Sequence, residues 1–199
     1  MNTEIPAQAV VAIATVVAAL ITGVIAMVNL TLGKEQKVTE MRQAWIDGLR
    51  NDLATYFAAY RFIANSVEDV WHKENTGVVA THMASQEAVA EQALLGALAI
   101  YRIKLRLNAA EKAHFDLERL LDEITKQYES HVDGKPNLRK LTIAAIALAN
   151  DQARKVLKFE WERVKSGEQA FANLRKWVAP TIVVVMAIFV GVILTANFN

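Results

Sequence analysis

The stretch AQAVVAIATVVAALITGVIAMVNLTL, residues 7–32, decides the fold of this 199-residue chain. It contains no charged side chain. Its length exceeds the roughly 20 residues that an α-helix needs to cross a bilayer. The N-terminal sequence MNTEIPAQ has no Lys or Arg, so it lacks the basic region of a cleaved signal peptide. We therefore predict a transmembrane helix within residues 1–33.

A second apolar stretch, VAPTIVVVMAIFVGVILTA, occupies residues 178–196. Pro180 lies in its first turn, where the missing N–H of proline costs little. Trp177 precedes it, and an indole ring is well suited to the headgroup layer. Because residues 177–199 carry no charge, we predict a second transmembrane helix there.

The charged residues lie almost entirely between these two stretches. Every Lys and Arg falls within residues 34–176, although the net charge of the chain is only +1. Basic residues next to a membrane span mark its cytoplasmic side. We therefore predict that residues 34–176 are cytoplasmic and that both termini are extracytoplasmic. The side chains expected at the membrane interface are Lys34, Lys37, Arg175, Lys176 and Trp177.

The middle region is typical of a helical bundle. Good helix formers dominate it, and its apolar residues recur at steps of three and four. Asn108 followed by Glu111 resembles a capping box and marks a helix start. The predicted helices cover about 34–74, 83–107, 109–130 and 138–165. The fold class is thus an all-α membrane protein, with two transmembrane helices flanking a cytoplasmic bundle of about four helices.

Small residues recur at spacing four in both apolar stretches. Such ridges let helix backbones approach closely in lipid, although alanine-rich helices also produce them by chance. The predicted transmembrane packing residues are Ala14, Ala18, Thr22, Ala26, Ala187, Gly191 and Thr195.

Aromatic and apolar residues of the middle region suggest self-association. Phe159 and Trp161 stand among charges of both signs and could anchor an interface, or equally lie where the bundle meets the membrane. The candidate self-association residues are Trp45, Leu49, Phe159 and Trp161. The predicted partners are the lipid bilayer, further copies of this chain, and another cytoplasmic or membrane protein.

Nothing in the sequence predicts an active site. There is no cysteine, phosphate-binding glycine loop or nucleophile elbow. The chain has four histidines, His72, His82, His114 and His131. We assign none of them to a metal-ligand pair with a carboxylate or a second histidine on the same predicted helix. We therefore expect no catalytic residue, no metal site and no cofactor.

The densest basic run is Arg102, Lys104 and Arg106. Such a run could contact anionic lipid or nucleic acid, but a solvated helix face is the simpler interpretation. We expect no nucleic-acid partner.

Two stretches, RIKLRLNAAEKAHFDLERLLDEI (102–124) and ARKVLKFEWERVKSGE (153–168), resemble patterns in small bacterial membrane-tethered proteins of unassigned function. The resemblance rests on no diagnostic motif and implies no particular activity. Separately, we expect a multi-pass protein of the bacterial inner membrane.

Four functions compete at this point. The first is a non-enzymatic scaffold or interaction subunit that self-associates through its cytoplasmic bundle. The alternative is an oligomeric pore or membrane-perturbing effector of the bacterial-defence type, although neither span has a clear polar stripe. A sensor would place the bundle outside the cell, against the charge pattern, and an enzyme would need a site that the sequence does not reveal.

Overall fold

The structure, a computed structural model, is helical throughout the part of the chain that it describes. That part comprises residues 6–77, 83–131 and 137–166, together with residues 176, 177, 180–182, 184, 185, 187, 188 and 191. The helices are α1 (Ala7–Thr76), α2 (Gln86–Arg106), α3 (Lys112–His131) and α4 (Leu138–Ser166). These described residues include no strand, which confirms the all-α class. Much of the second predicted span lies outside them, as do Arg175 and Thr195.

The first helix joins two segments that the sequence analysis treated separately. No proline occurs between Ala7 and Thr76, so nothing removes a backbone donor along its length. The helix ends where Gly77 adopts a φ of +69° and donates its N–H to the carbonyl of Lys73 over 3.1 Å. A left-handed glycine is a common helix terminator because it has no Cβ to clash.

Among the described residues, one helix is long and apolar enough to cross a membrane. It is the part of α1 that begins at Ala14, and its apolar stretch has a mean hydropathy of 2.2 with no buried residue. Length and composition are the only basis for this statement, since a signal sequence near an N-terminus meets the same criterion.

By packing, the chain divides into two compact units. Residues 1–41 and 165–199 form the first unit, and residues 42–164 form the second. The predicted domain limits, after residues 33 and 176, mark where the composition changes. The boundaries of the two compact units instead fall at residues 41/42 and 164/165, because the charged flanks of the apolar segments belong to the first unit.

All four helices contribute to one apolar core in the second unit. Its residues recur at steps of three and four along each helix, as expected for faces that pack against neighbouring helices. The buried members are Leu49, Leu53, Tyr56 and Tyr60 of α1, Ala99, Ile100 and Ile103 of α2, Leu117, Leu121 and Ile124 of α3, and Ala145, Ala149, Ala153 and Val156 of α4.

Tyr56 is the polar centre of this core. Its ring is fully buried, and its hydroxyl donates to the carbonyl of Leu121 over 2.8 Å and lies 2.9 Å from Oγ1 of Thr125. Burial raises the pKa of the Tyr56 phenol, because the phenolate would lose its hydration. The hydroxyl therefore ties α1 to α3 in its neutral form.

Replacing Tyr56 with Phe should lower the free energy of unfolding by about 1–2 kcal/mol, because the Leu121 carbonyl loses its donor and the Thr125 hydroxyl loses its partner. Urea unfolding of the full chain in detergent, followed by circular dichroism, measures this change. The matched control is Tyr128→Phe, which removes the hydroxyl of a tyrosine that is only partly buried against the same core. An equal loss in both variants would contradict a special role for the Tyr56 hydroxyl.

Candidate functional site

A cluster of ionisable side chains lies where α3 begins. The ligand-type atoms of Glu111, His114 and Glu160 all lie within 4.8 Å of one another. His114 and Glu160 are buried, whereas Glu111 is partly exposed. Glu111 immediately precedes α3, His114 lies in its first turn, and Glu160 reaches them from α4. This is the candidate site because buried ionisable groups are rare outside sites or ion-pair networks.

The ring of His114 is fixed on three sides. Its Nδ1 accepts the backbone N–H of Asn108 over 3.0 Å, and its face stacks on Trp45 with the ring centroids 5.9 Å apart. Its buried Nε2 lies 3.7 Å from Oε1 of Glu160, too far for a good hydrogen bond. Since Nδ1 acts as an acceptor, the proton of the neutral ring belongs on Nε2, facing Glu160.

Arg163 supplies the positive charge that this cluster needs. One of its nitrogens donates to Glu111 over 3.1 Å and to Glu160 over 2.7 Å. The hydrogen bond with Arg163 holds the pKa of the Glu111 carboxyl below its usual range, and the same bond raises the pKa of Arg163. Both acids therefore have a cation in contact, and the cluster joins the start of α3 to α4.

The geometry suits an ion-pair network better than a metal centre. A histidine that binds a metal through Nε2 donates its Nδ1–H to an acceptor. Here Nδ1 faces the donor N–H of Asn108, so a metal at Nε2 would require this hydrogen bond to break. Arg163 also occupies the position between the two carboxylates that a cation would take. The residues present do not fit a bound metal ion.

The sequence analysis overlooked this cluster, although part of it was readable. Glu111 and His114 stand three residues apart at a predicted helix start, which places them on one face. The predicted capping box was wrong in detail, because α3 begins at Lys112 rather than near residue 109. The backbone N–H of Asn108 bonds to His114, while the Glu111 carboxylate accepts from the Asn108 side-chain amide over 3.3 Å and from Arg163 over 3.1 Å.

The end of α2 is fastened to α1 beside this cluster. The indole N–H of Trp45 donates to the carbonyl of Arg106 over 3.2 Å, and the Arg106 guanidinium pairs with Asp52. Gly48 makes room for this pair, since a Cβ there would lie 2.9 Å from a guanidinium nitrogen of Arg106. In the same basic run, Lys104 pairs with Asp122 over 2.7 Å. Arg102 also lies 3.9 Å from the Asp52 carboxylate, so all three cations of the run have acidic partners within the chain.

The four candidate self-association residues fall into two groups. Leu49 is fully buried and Trp45 packs against the same core, so both serve the fold of this chain. Phe159 and Trp161 are exposed. Trp161 borders a surface depression of about 560 Å³, whose other lining residues are Gln43, Ile46, Asp47, Arg50, Leu157 and Lys158.

In the first unit, branched residues of α1 face the C-terminal segment. They line a groove of about 300 Å³, and the lining residues are Val17, Leu20, Ile21, Val24, Trp177, Thr181, Ile182 and Val185. The predicted small-residue ridges lie mostly elsewhere. Ala14 is partly buried, whereas the exposed members are Ala18, Thr22, Ala26, Ala187 and Gly191. Use of these ridges by another chain stays a prediction.

The predicted membrane-interface residues are exposed where the structure describes them. Lys34 is exposed, and Lys37 is exposed while pairing with Glu40 over 3.0 Å. The ammonium of Lys176 lies 5.7 Å from the ring centroid of the exposed Trp177. Such a cation beside an indole is typical of residues that flank a membrane span.

No protein-family model, curated protein or solved structure matches this chain.

Proposed function

We propose that this chain is a non-enzymatic scaffold of the bacterial inner membrane, anchored by an apolar helix at each end and self-associating through its cytoplasmic helices. The carrying observation is that α1 runs without a break from an apolar stretch that contains no buried residue into the packed core of residues 42–164. An apolar surface of this kind needs lipid or protein to cover it. The packed helices would then be held at the membrane.

Two further observations support a pair of membrane helices. Residues of α1 and of the C-terminal segment line the same groove, and its lining is almost entirely apolar. The basic flanks of both apolar stretches lie on the side of residues 34–176. Under the positive-inside rule, both termini would face out of the cell and α2 to α4 would be cytoplasmic.

The hydroxyls of the first span favour the scaffold over the pore. Thr15 donates to the carbonyl of Val11 over 2.9 Å, and Thr22 donates to that of Ala18 over 2.8 Å. The hydroxyl protons of both threonines thus bond within their own helix. They do not form the stripe of free donors that would line a water-filled pore. A nucleic-acid contact at the basic run of residues 102–106 is also disfavoured, because Lys104 and Arg106 already have acidic partners.

Single cysteines test the proposed topology, since the natural chain contains none. The variants are Asn2→Cys, Asn199→Cys and Ala109→Cys, the last in the exposed turn before α3. In intact cells, a membrane-impermeant maleimide should label the first two variants, whereas Ala109→Cys should react only after lysis. Labelling of Ala109→Cys in intact cells would overturn the cytoplasmic placement. Labelling of only one terminus would overturn the two-span anchor.

A further inference from the structure

Two helices of the second unit, α2 and α4, each carry exposed apolar residues that face away from the core. On α2 the large ones are 61%, 45%, 68% and 88% exposed, and they are Leu94, Leu98, Tyr101 and Leu105. On α4, Leu141 is 41% and Leu148 is 62% exposed. One exposed leucine needs no explanation, but several large apolar side chains along one helix face mark an interaction surface.

The two exposed faces belong to helices that are not neighbours. Each helix contacts both α1 and α3. The contacts are the ion pairs Arg106–Asp52 and Lys104–Asp122 for α2, and for α4 the ion pair Arg139–Asp69 and the hydrogen bond from Gln152 to the carbonyl of Ala113. α2 and α4 therefore lie at opposite corners of the four packed helices. Their outer faces point to different sides, so one copy of the chain cannot cover its own exposed residues.

Both faces lie at the same level along α1, and both helices run antiparallel to it. Leu98 follows Gly96, which packs against Tyr60 of α1. In the first turn of α4, a backbone N–H donates to Glu68 over 2.9 Å, and Leu148 lies about 14 Å further along the helix. The same distance back along α1 from Glu68 leads to the level of Tyr60. Leu98 and Leu148 therefore stand at matching heights.

The residues of the two faces also recur at the same steps of three, four and three. The α2 row is Glu91, Leu94, Leu98 and Tyr101, and the α4 row is Leu141, Ala144, Leu148 and Asp151, all of them exposed. Such steps are the signature of helices that pair side by side. If α2 of one copy lies parallel to α4 of another with Leu98 against Leu148, the rows meet residue for residue.

At one end of this alignment, opposite charges meet. Glu91 would face Leu141 of the other copy and lie beside the neighbouring Lys140. Within the described residues, neither the Glu91 carboxylate nor the exposed Lys140 ammonium takes part in an ion pair. The contact between copies would supply the missing partner to both groups, which explains an acidic residue in an otherwise apolar part of the α2 row.

At the other end, a donor meets an acceptor. The Tyr101 hydroxyl would face the Asp151 carboxylate, which can accept its hydrogen bond. Contacts between like faces would be less favourable for parallel helices. Two α2 rows would bring Glu91 against Glu91, and two α4 rows would bring Asp151 against Asp151. The charges of the rows therefore favour contact between unlike faces.

The proposed membrane anchor imposes the same parallel arrangement. Copies held in one membrane have their α1 helices aligned, and α2 and α4 both run antiparallel to α1. Consequently, α2 of one copy is parallel to α4 of its neighbour. Each copy presents its α2 row to one neighbour and its α4 row to the next. A contact between unlike faces closes into a ring when the copies are related by rotation about one axis.

We propose that the α2 row of one copy packs in parallel on the α4 row of the next, so that copies of this chain join head to tail in a closed ring about an axis normal to the membrane. The proposal rests on the proposed self-associating function and names its interface. It places the contact on these two rows rather than on Phe159 and Trp161.

Sedimentation of the full chain in detergent over a dilution series tests the two rows. Leu98→Glu and Leu148→Glu should each raise the dissociation constant at least about tenfold, because either one buries a charge at the centre of the contact. Phe115→Glu is the matched control, since Phe115 is exposed on α3 and belongs to neither row. Circular dichroism melting of each variant establishes that the helices remain folded.

Mixing the two leucine variants separates a head-to-tail contact from a contact between like faces. Leu98→Glu keeps an intact α4 row, and Leu148→Glu keeps an intact α2 row, so one copy of each can form a single intact contact. An equimolar mixture should therefore sediment as a dimer at a concentration where each variant alone is monomeric. A mixture that stays monomeric would overturn the proposal, as would a Leu148→Glu variant that associates like the parent chain.

A charge exchange tests the register. Glu91→Lys alone should weaken association, because it places two cations together, and Lys140→Glu alone should do the same with two anions. The double variant in one chain should restore association, and a double variant weaker than either single one would contradict the register. Oligomers that persist unchanged in every variant would overturn this contact and leave the proposed function standing, whereas a monomeric parent chain would overturn both proposals.

Discussion

The Arg163→Met variant is expected to lose about 2 kcal/mol of unfolding free energy at neutral pH. Removing Arg163 leaves the buried Glu160 carboxylate with no cation in contact except a protonated His114. Breaking a buried ion pair by deleting one partner typically costs about 3–5 kcal/mol. We expect less here, because the Arg163 side chain is 39% exposed and water screens its charge. Urea unfolding in detergent measures the change.

Two comparisons separate this ion-pair effect from the loss of a surface arginine. Arg154→Met, on an exposed position of the same helix, should change stability little. Adding Glu160→Gln to Arg163→Met removes the stranded charge and should recover most of the loss. If the double variant is instead less stable than either single variant, the two charges do not act as a pair.

The ion pair between Arg163 and Glu111 predicts a pH dependence of stability. Because the pKa of Glu111 is lowered in the fold, its contribution is present above the ordinary glutamate pKa of about 4.3. It is lost as the pH falls through the lower folded value. The stability difference between the parent chain and Arg163→Met should therefore shrink below about pH 4. A constant difference down to the acid transition would contradict this account.

The Gly96→Leu variant is expected to lose about 3 kcal/mol, because α1 and α2 approach closely at this position. A Cβ on Gly96 would lie 3.0 Å from the Tyr60 ring and 3.3 Å from Cβ of Ala59. A larger side chain would have to separate the two helices and disturb the core around Tyr60. Thermal and urea unfolding of the full chain in detergent report the loss.

Another helical glycine provides the control for this variant. A Cβ on Gly33 would meet nothing within 4 Å, so Gly33→Ala should be neutral or slightly stabilising through its better helix propensity. The Gly96→Ala variant should fall between the two, because one methyl group requires the ring of Tyr60 to shift by a few tenths of an ångström. Tolerance of leucine at Gly96 would mean that the helices are less closely packed than described.

The helices were predictable because their signals are local. Periodic apolar residues predicted the segments 83–107, 109–130 and 138–165, which lie close to α2, α3 and α4. They also predicted a helix end near residue 74, close to the end of α1. The sequence analysis divided α1 after residue 33, where the composition changes, although no proline interrupts the chain between Ala7 and Thr76. The domain limits after residues 33 and 176 stay a prediction, because they follow charge, whereas the two compact units follow packing.

The contacts between helices were not predictable in the same way. Glu160 meets His114 only because α4 packs beside the start of α3, and the sequence separates these residues by more than forty positions. Leu49 looked like an interface residue because its periodicity does not reveal which partner covers it. The exposure of Leu94, Leu98 and Tyr101 on α2 was unpredictable for the same reason, because periodicity alone does not separate an exposed helix face from a buried one.

Native mass spectrometry of the full chain extracted in mild detergent tests the central claim, self-association at the membrane, most directly. We expect a single defined oligomer that persists on dilution, because most soluble and membrane homo-oligomers close by symmetry. A monomer at every concentration would contradict the account, and the chain would then be an anchor or subunit that serves a different protein.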